Sequence, residues 1–227
     1  MQLNADFDRR AVVHAGRIDW VPSPMAGVSR RMLDRIGDEV ARATSIVRFD
    51  AGSAFSPHVH EGGEEFLVLE GVFQDEHGDF PAGSYIRNPP GTSHTPASAP
   101  GCTILVKLWQ FDADDRREVK LHVDDIEPVA ETGREGVHVR LLFEDERERV
   151  RVESLDGDAA TVLGDDGGCE IFVIDGSFAE KGEIFERHSW LRLPGGEKAA
   201  IRAGSEGARL WIKTGHLRHV RIPGSSA

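Results

Sequence analysis

Gly52-Ser53-Ala54-Phe55-Ser56-Pro57-His58-Val59-His60-Glu61-Gly62-Gly63-Glu64, continued to Gly71, is one half of the stretch that decides the fold. The other half is Gly83-Ser84-Tyr85-Ile86-Arg87-Asn88-Pro89-Pro90-Gly91-Thr92-Ser93-His94. The first reads Gly-x5-His-x-His-x3-Glu-x6-Gly and the second Gly-x5-Pro-x-Gly-x2-His. On an extended strand, side chains at i and i+2 share a face, so His58 and His60 are expected to project together. Gly62 and Gly63 relax the backbone so that Glu64 can return to the same point. Pro89-Pro90-Gly91 forms a rigid turn that can start a strand carrying His94 beside the first. Neutral imidazoles with one carboxylate suit zinc, iron, nickel and copper. The pattern therefore predicts a divalent metal held by His58, His60, Glu64 and His94 inside a small β-barrel.

Glu65 competes for the carboxylate role. The spacing from His60 favours Glu64, leaving Glu65 as a neighbour, and Glu65 or Arg87 as a supporting group behind the ligands. The remaining histidines, His14, His77, His122, His138, His188, His216 and His219, read as surface or loop residues with no common partner.

Working outward, the chain repeats itself. Residues 65–73 match 170–178, and 84–89 match 189–194, at one offset of 105 residues. Near the N-terminus His14 falls on His122 at an offset of 108, so a short gap intervenes. Two tandem domains are expected, a metal-binding one over 1–116 and a second over 117–227. Short β-branched or aromatic runs bounded by Gly, Pro or Asp predict strands at 44–49, 65–69, 85–88 and 103–111, and again at 150–155, 171–175, 190–193 and 209–214. Runs that are apolar on both faces, such as Phe66-Leu67-Val68-Leu69, suit strands buried between two sheets, so the fold class is all-β, a jelly roll in each half. Arg30 to Ala43 is ambiguous between helix and strand. The same offset places Leu163 on His58, Asp165 on His60, Cys169 on Glu64 and Ala199 on His94, so the second half keeps none of the four ligands. Cys169 and Cys102 read as small buried residues.

Composition narrows the function classes. The 227 residues carry a net charge of −12, which argues against nucleic acid or an anionic membrane as partner. No apolar run approaches the roughly 20 residues of a membrane-spanning helix. Met1 to Asp6 lacks a basic segment followed by an apolar core, so a cytoplasmic location is expected.

The two motifs resemble those of the cupin superfamily, with one departure: the second commonly ends His-x3-Asn, and Ser98 stands here. Residues 64–73 and 83–91, with Gly101-Cys102 and Val106-Lys107-Leu108-Trp109-Gln110-Phe111, are similar to the cupin domain of ChrR-type anti-sigma factors, over roughly residues 10–115. That resemblance implies two tandem cupin domains (double-stranded β-helices), one metal-binding and one degenerate. It also implies one metal ion on His58, His60, Glu64 and His94, zinc first, with iron, nickel or manganese as alternatives. A sensory or regulatory role with a sigma factor as partner follows from it. The sigma-gripping segment of that family carries a His-x3-Cys-x2-Cys pattern, which this chain lacks. The other reading is a metal-dependent oxygenase acting on a small diketone or aromatic ketone. A small-molecule ligand and a homodimer are further expectations. Whether the site is catalytic stays open at this stage.

Overall fold

A computed structural model describes residues 1–38 and 40–224. Strands dominate, and the helical elements among the described residues are short 3-10 turns at Ala15–Arg17, Val123–Asp125 and His216–His219. None is long and apolar enough to cross a membrane. The ambiguous stretch from Arg30 is extended, forming the strand Val28–Gly37 that pairs antiparallel with Ala41–Phe49. Ser45, Ile46 and Val47 supply β-branched or small residues to that pair, and tertiary pairing overrides the weak helical pattern.

Two compact units form. One comprises Met1–Ala5, Asp19–His122 and Arg221–Ala227; the other comprises Asp6–Ile18 and Val123–Val220. Compared with the expected division after residue 116, segment 6–18 belongs to the later unit, because Ala11–His14 pairs with Ser189–Leu193. The earlier unit runs on to His122, because Val119–His122 pairs with Ser84–Asn88. Both terminal strands fold onto the edge of a sheet that the repeat pattern alone leaves open.

The pairing register repeats as the sequence does. Asn88 lies opposite Glu64, and Leu193 lies opposite Cys169. His94 lies opposite His58, and Ala199 opposite Leu163. Each unit contains one long bent strand, Glu64–Asp75 in the first and Cys169–Glu180 in the second. At the bend sits a glycine with positive φ, Gly71 (φ 71°) or Gly176 (φ 69°). A Cβ there would meet the carbonyl oxygen of Gly101 at 2.0 Å or that of Gly207 at 2.3 Å, so glycine alone fits. The bend carries the strand around the roll and brings its two ends to the same end of the barrel.

The interiors differ. In the second unit an apolar cluster runs from Val137 to Ile212 and includes Leu163, Cys169, Leu193 and Ala199. In the first unit an apolar cluster is built on Phe66, Val68, Phe73, Ile86, Cys102, Ile104 and Val106. Its Phe73 reaches the end where the histidines gather, with its ring centroid 5.6 Å from that of His94.

Candidate metal centre

His58, His60, Glu64 and His94 converge, with one ligand atom from each lying within 4.8 Å of all the others. His58 comes from the two-residue strand His58–Val59, His94 from its partner Ser93–His94, and Glu64 from the first position of the long strand. The three rings sit edge to face, with centroids 5.2 Å apart for His58 and His60, 4.8 Å for His58 and His94, and 4.5 Å for His60 and His94. Burial separates them: His60, Glu64 and His94 are buried, whereas His58 is exposed. The centre is therefore open to solvent on the His58 side.

The decisive feature is what these atoms lack. His60 Nε2 lies 3.3 Å and His94 Nε2 3.5 Å from Glu64 Oε2. All three atoms are buried without a hydrogen-bond partner. A buried polar atom left unsatisfied costs about 1–3 kcal/mol, and three aimed at one point form a donor set that a cation could satisfy. A cation with bonds of about 2.1 Å to nitrogen and oxygen spaces its ligands at such distances. The residues present thus fit a divalent metal. Burial, followed by the neighbouring imidazoles His94 and His58, pulls the His60 pKa down to about 3. Burial and then His58 bring His94 down to about 4. Both rings are accordingly neutral, the form that binds metal. Burial pushes the Glu64 carboxyl up to about 7, opposed by a hydrogen bond from Asn88.

Several contributors were not legible from motif spacing. Asn88 faces Glu64 across the ladder and holds its carboxylate. Thr92 Oγ1 is 3.0 Å from His60 Nδ1, and Asp75 Oδ2 is 3.3 Å from His94 Nδ1. Phe73 packs against His94 with ring centroids 5.6 Å apart. The spacing between Gly52 and Gly71 gives no hint of Asp75, which reaches His94 because the strand bends.

Glu65 and Arg87 do not support the ligands. Adjacent residues on a strand point to opposite faces, so Glu65 projects away from Glu64. Its carboxylate accepts a hydrogen bond from the Tyr85 hydroxyl at 2.6 Å, while Arg87 pairs with Asp115 at 2.6 Å. His188 and His216 are likewise not surface residues: both are buried, and His216 Nε2 lies 2.9 Å from a Glu170 carboxylate oxygen. Glu170 is the repeat counterpart of Glu65, and a buried carboxylate there draws in a buried partner. Ser98, at the position where the motif commonly has Asn, is buried and donates to the Val72 carbonyl at 2.7 Å. Its hydroxyl is used in closing the barrel.

Residues 8–112 match the family model described as the ChrR Cupin-like domain. Among curated proteins none matches the sequence. Among solved structures, a Nostoc punctiforme protein provisionally described as a dioxygenase is similar at TM-score 0.76 and 13% identity, over 97% of this chain and 88% of that one. Both units adopt the cupin fold. A Pseudomonas aeruginosa protein provisionally described as glyoxylate-induced is similar at TM-score 0.72 and 15% identity, over 95% and 92% of the two chains. The Escherichia coli pirin YhhW, in complex with nickel(II), is similar at TM-score 0.63 and 17% identity, over 90% and 98%. At these identities the likeness is one of cupin architecture, and the chemistry has to be argued from the site itself.

Proposed function

We propose that the first cupin unit holds one divalent cation through His58, His60, Glu64 and His94, and that this centre serves a sensory or regulatory role of the ChrR-like kind. The second unit, without ligands, acts as its scaffold. The observation that carries the metal reading is the convergence of three buried, unsatisfied atoms, His60 Nε2, His94 Nε2 and Glu64 Oε2. A bound divalent cation would supply Lewis acidity, and a redox-active one electron transfer as well. Within the chain, His60 and His94 offer neutral nitrogens, Glu64 offsets one positive charge, and Asn88 holds that carboxylate in place. Zinc is the first expectation, with iron, nickel and manganese as alternatives for the same ligand set.

Sensing, in this reading, belongs to the metal centre and its open side. Burial pushes the Cys102 thiol up to about 11 and the Cys169 thiol up to about 12, so neither offers the thiolate that reacts with oxidants. The ChrR likeness supports a sigma factor as partner, and a small molecule as the signal at the His58 side.

The exposure of His58 also favours a second reading, a metal-dependent oxygenase acting on a small diketone or aromatic ketone. Elemental analysis of native protein, oxygen uptake with a diketone panel, and capture of a sigma factor separate the two. Turnover with iron would overturn the regulatory reading. No turnover with zinc, iron, nickel or manganese, together with sigma-factor capture, would overturn the oxygenase.

A further inference from the structure

We propose that Thr92 and Asp75 are positioning residues that fix the tautomers of His60 and His94, so that both Nε2 lone pairs face the centre before any cation arrives. The inference rests on the metal-centre reading of the four ligands and adds two residues outside that set.

The hydrogen bonds of Thr92 decide the first tautomer. Thr92 Oγ1 donates its single proton to the Pro89 carbonyl at 2.7 Å. Towards His60 Nδ1, 3.0 Å away, the hydroxyl can therefore only accept. His60 must carry its proton on Nδ1, which leaves Nε2 bare. Asp75 does the same for His94: its Oδ2 lies 3.3 Å from His94 Nδ1, and the carboxylate accepts. Its other oxygen accepts from the His77 amide at 2.7 Å, which pins the carboxyl group. Even exposed His58 has Nδ1 on an acceptor, the Ser56 carbonyl at 3.4 Å. His60 and His94 thus turn the same nitrogen toward Glu64.

Topology explains how Asp75 reaches the site. Glu64 and Asp75 are the first and last residues of one strand, which would span about 35 Å if straight. Bent at Gly71, it places Glu64 against one nitrogen of His94 and Asp75 against the other. The second unit supplies a control. There Ala199 replaces His94, and Glu180, the counterpart of Asp75, pairs with Arg10 at 2.5 Å. Without an imidazole to orient, the carboxylate takes a different partner.

The test uses the full chain. In metal-free protein, long-range 1H–15N spectra of the imidazoles should show His60 and His94 as Nδ1–H tautomers. Thr92→Val should convert His60 to a mixture, and Asp75→Leu should do so for His94. Titration with Co(II), followed by its visible absorption, should show roughly 10- to 100-fold weaker binding in both variants. Thr92→Ser, which keeps the hydroxyl, should restore both readouts. Wild-type-like tautomers and Co(II) affinity in Thr92→Val and Asp75→Leu would overturn the proposal. So would a loss of binding explained by an equal loss of thermal stability in the metal-free variants and not restored by Thr92→Ser. If the unsubstituted protein shows the Nδ1–H tautomers yet binds no Co(II), the metal-centre reading fails and the positioning inference falls with it; Nε2–H tautomers in a chain that does bind Co(II) overturn the inference alone.

Discussion

The two cupin units present one architecture with two different interiors. In the first, His58 faces His94 across a pair of two-residue strands. In the second, Leu163 faces Ala199 within the five-residue strand Ala160–Gly164 and its partner. The opposite face of the same sheets barely changes. Glu65 lies between Arg87 and Lys107, and Glu170 between Arg192 and Lys213. Tyr85 donates to Glu65, and Trp190 donates to Glu170 at 3.3 Å. The substitution of polar ligands by apolar residues therefore falls on the face that looks into the barrel. On that face His58–Val59 and Ser93–His94 pair over two residues, whereas Ala160–Gly164 pairs over five and its Leu163 joins the apolar cluster with Ala199. The second unit keeps the same pairing scaffold with apolar residues where the first gathers His58, Glu64 and His94.

The largest effect that would break this comparison is on metal content. His60→Ala should lower bound metal to about a tenth or less, measured by elemental analysis, because a buried ligand and its aligned nitrogen disappear together. Retained metal in this variant would contradict the asymmetry. The reverse substitution, Ala199→His, should recruit none, since Leu163 and Cys169 offer it no co-ligands in place. Next comes the core. Cys169→Glu places a carboxylate at a fully buried position whose nearby cation, Arg151, is already bound to Glu153, and should destabilise the chain by more than about 3 kcal/mol in denaturant melts. A near-neutral outcome would mean that the second barrel still tolerates a polar site.

Much of this was legible in sequence because both signals are local. His58, His60, Glu64 and His94 are spaced by strand alternation and glycine turns, and the 105-residue offset aligns ladder positions that the structure pairs in the same register. Spacing leaves Glu65 in competition with Glu64, and strand alternation settles its direction. What stayed hidden depends on long-range geometry. Asp75 meets His94 only through the bend at Gly71, and Asn88 meets Glu64 only through cross-strand register. Ala11–His14 reads as part of its own half, yet its hydrogen bonds are made with Ser189–Leu193. His216 looks like a loop residue because nothing near it in sequence announces Glu170.

A smaller effect sharpens the comparison at the link between His60 and Glu64. A Cβ on Gly62 would lie 2.2 Å from the Trp109 ring, and Trp109 itself holds a left-handed backbone with φ 59°. The counterpart of Trp109 in the second ladder is Gly215, with φ 86°. The first unit thus tolerates a strained tryptophan to clamp the ligand-bearing turn, where the second uses glycine. Gly62→Ala should cost about 2–3 kcal/mol and weaken metal binding together, with a change in tryptophan fluorescence. Loss of stability with unchanged metal affinity would separate the clamp from the centre.

The smallest effect contrasts two buried glutamates. Glu64 keeps one oxygen unsatisfied among imidazoles. Glu153, in the second unit, is bound by Arg134 at 2.5 and 3.0 Å and by Arg151 at 2.7 Å. Burial alone would raise the Glu153 carboxyl, but Arg134 and Arg151 outweigh it and hold the group below its ordinary value of 4.5. A carboxyl whose folded pKa is depressed stabilises the fold above its ordinary pKa and loses that contribution as pH falls through the folded value. Glu153→Gln keeps the shape and exchanges charge-assisted hydrogen bonds for neutral ones, a loss of about 1–2 kcal/mol near neutral pH. Denaturant melts should show that deficit shrinking on acidification below about 4.5, as the unsubstituted protein loses the same interaction. A deficit that is constant with pH would mean that Glu153 acts by packing alone. The second barrel would then be held by its apolar core, with its charges making no net contribution.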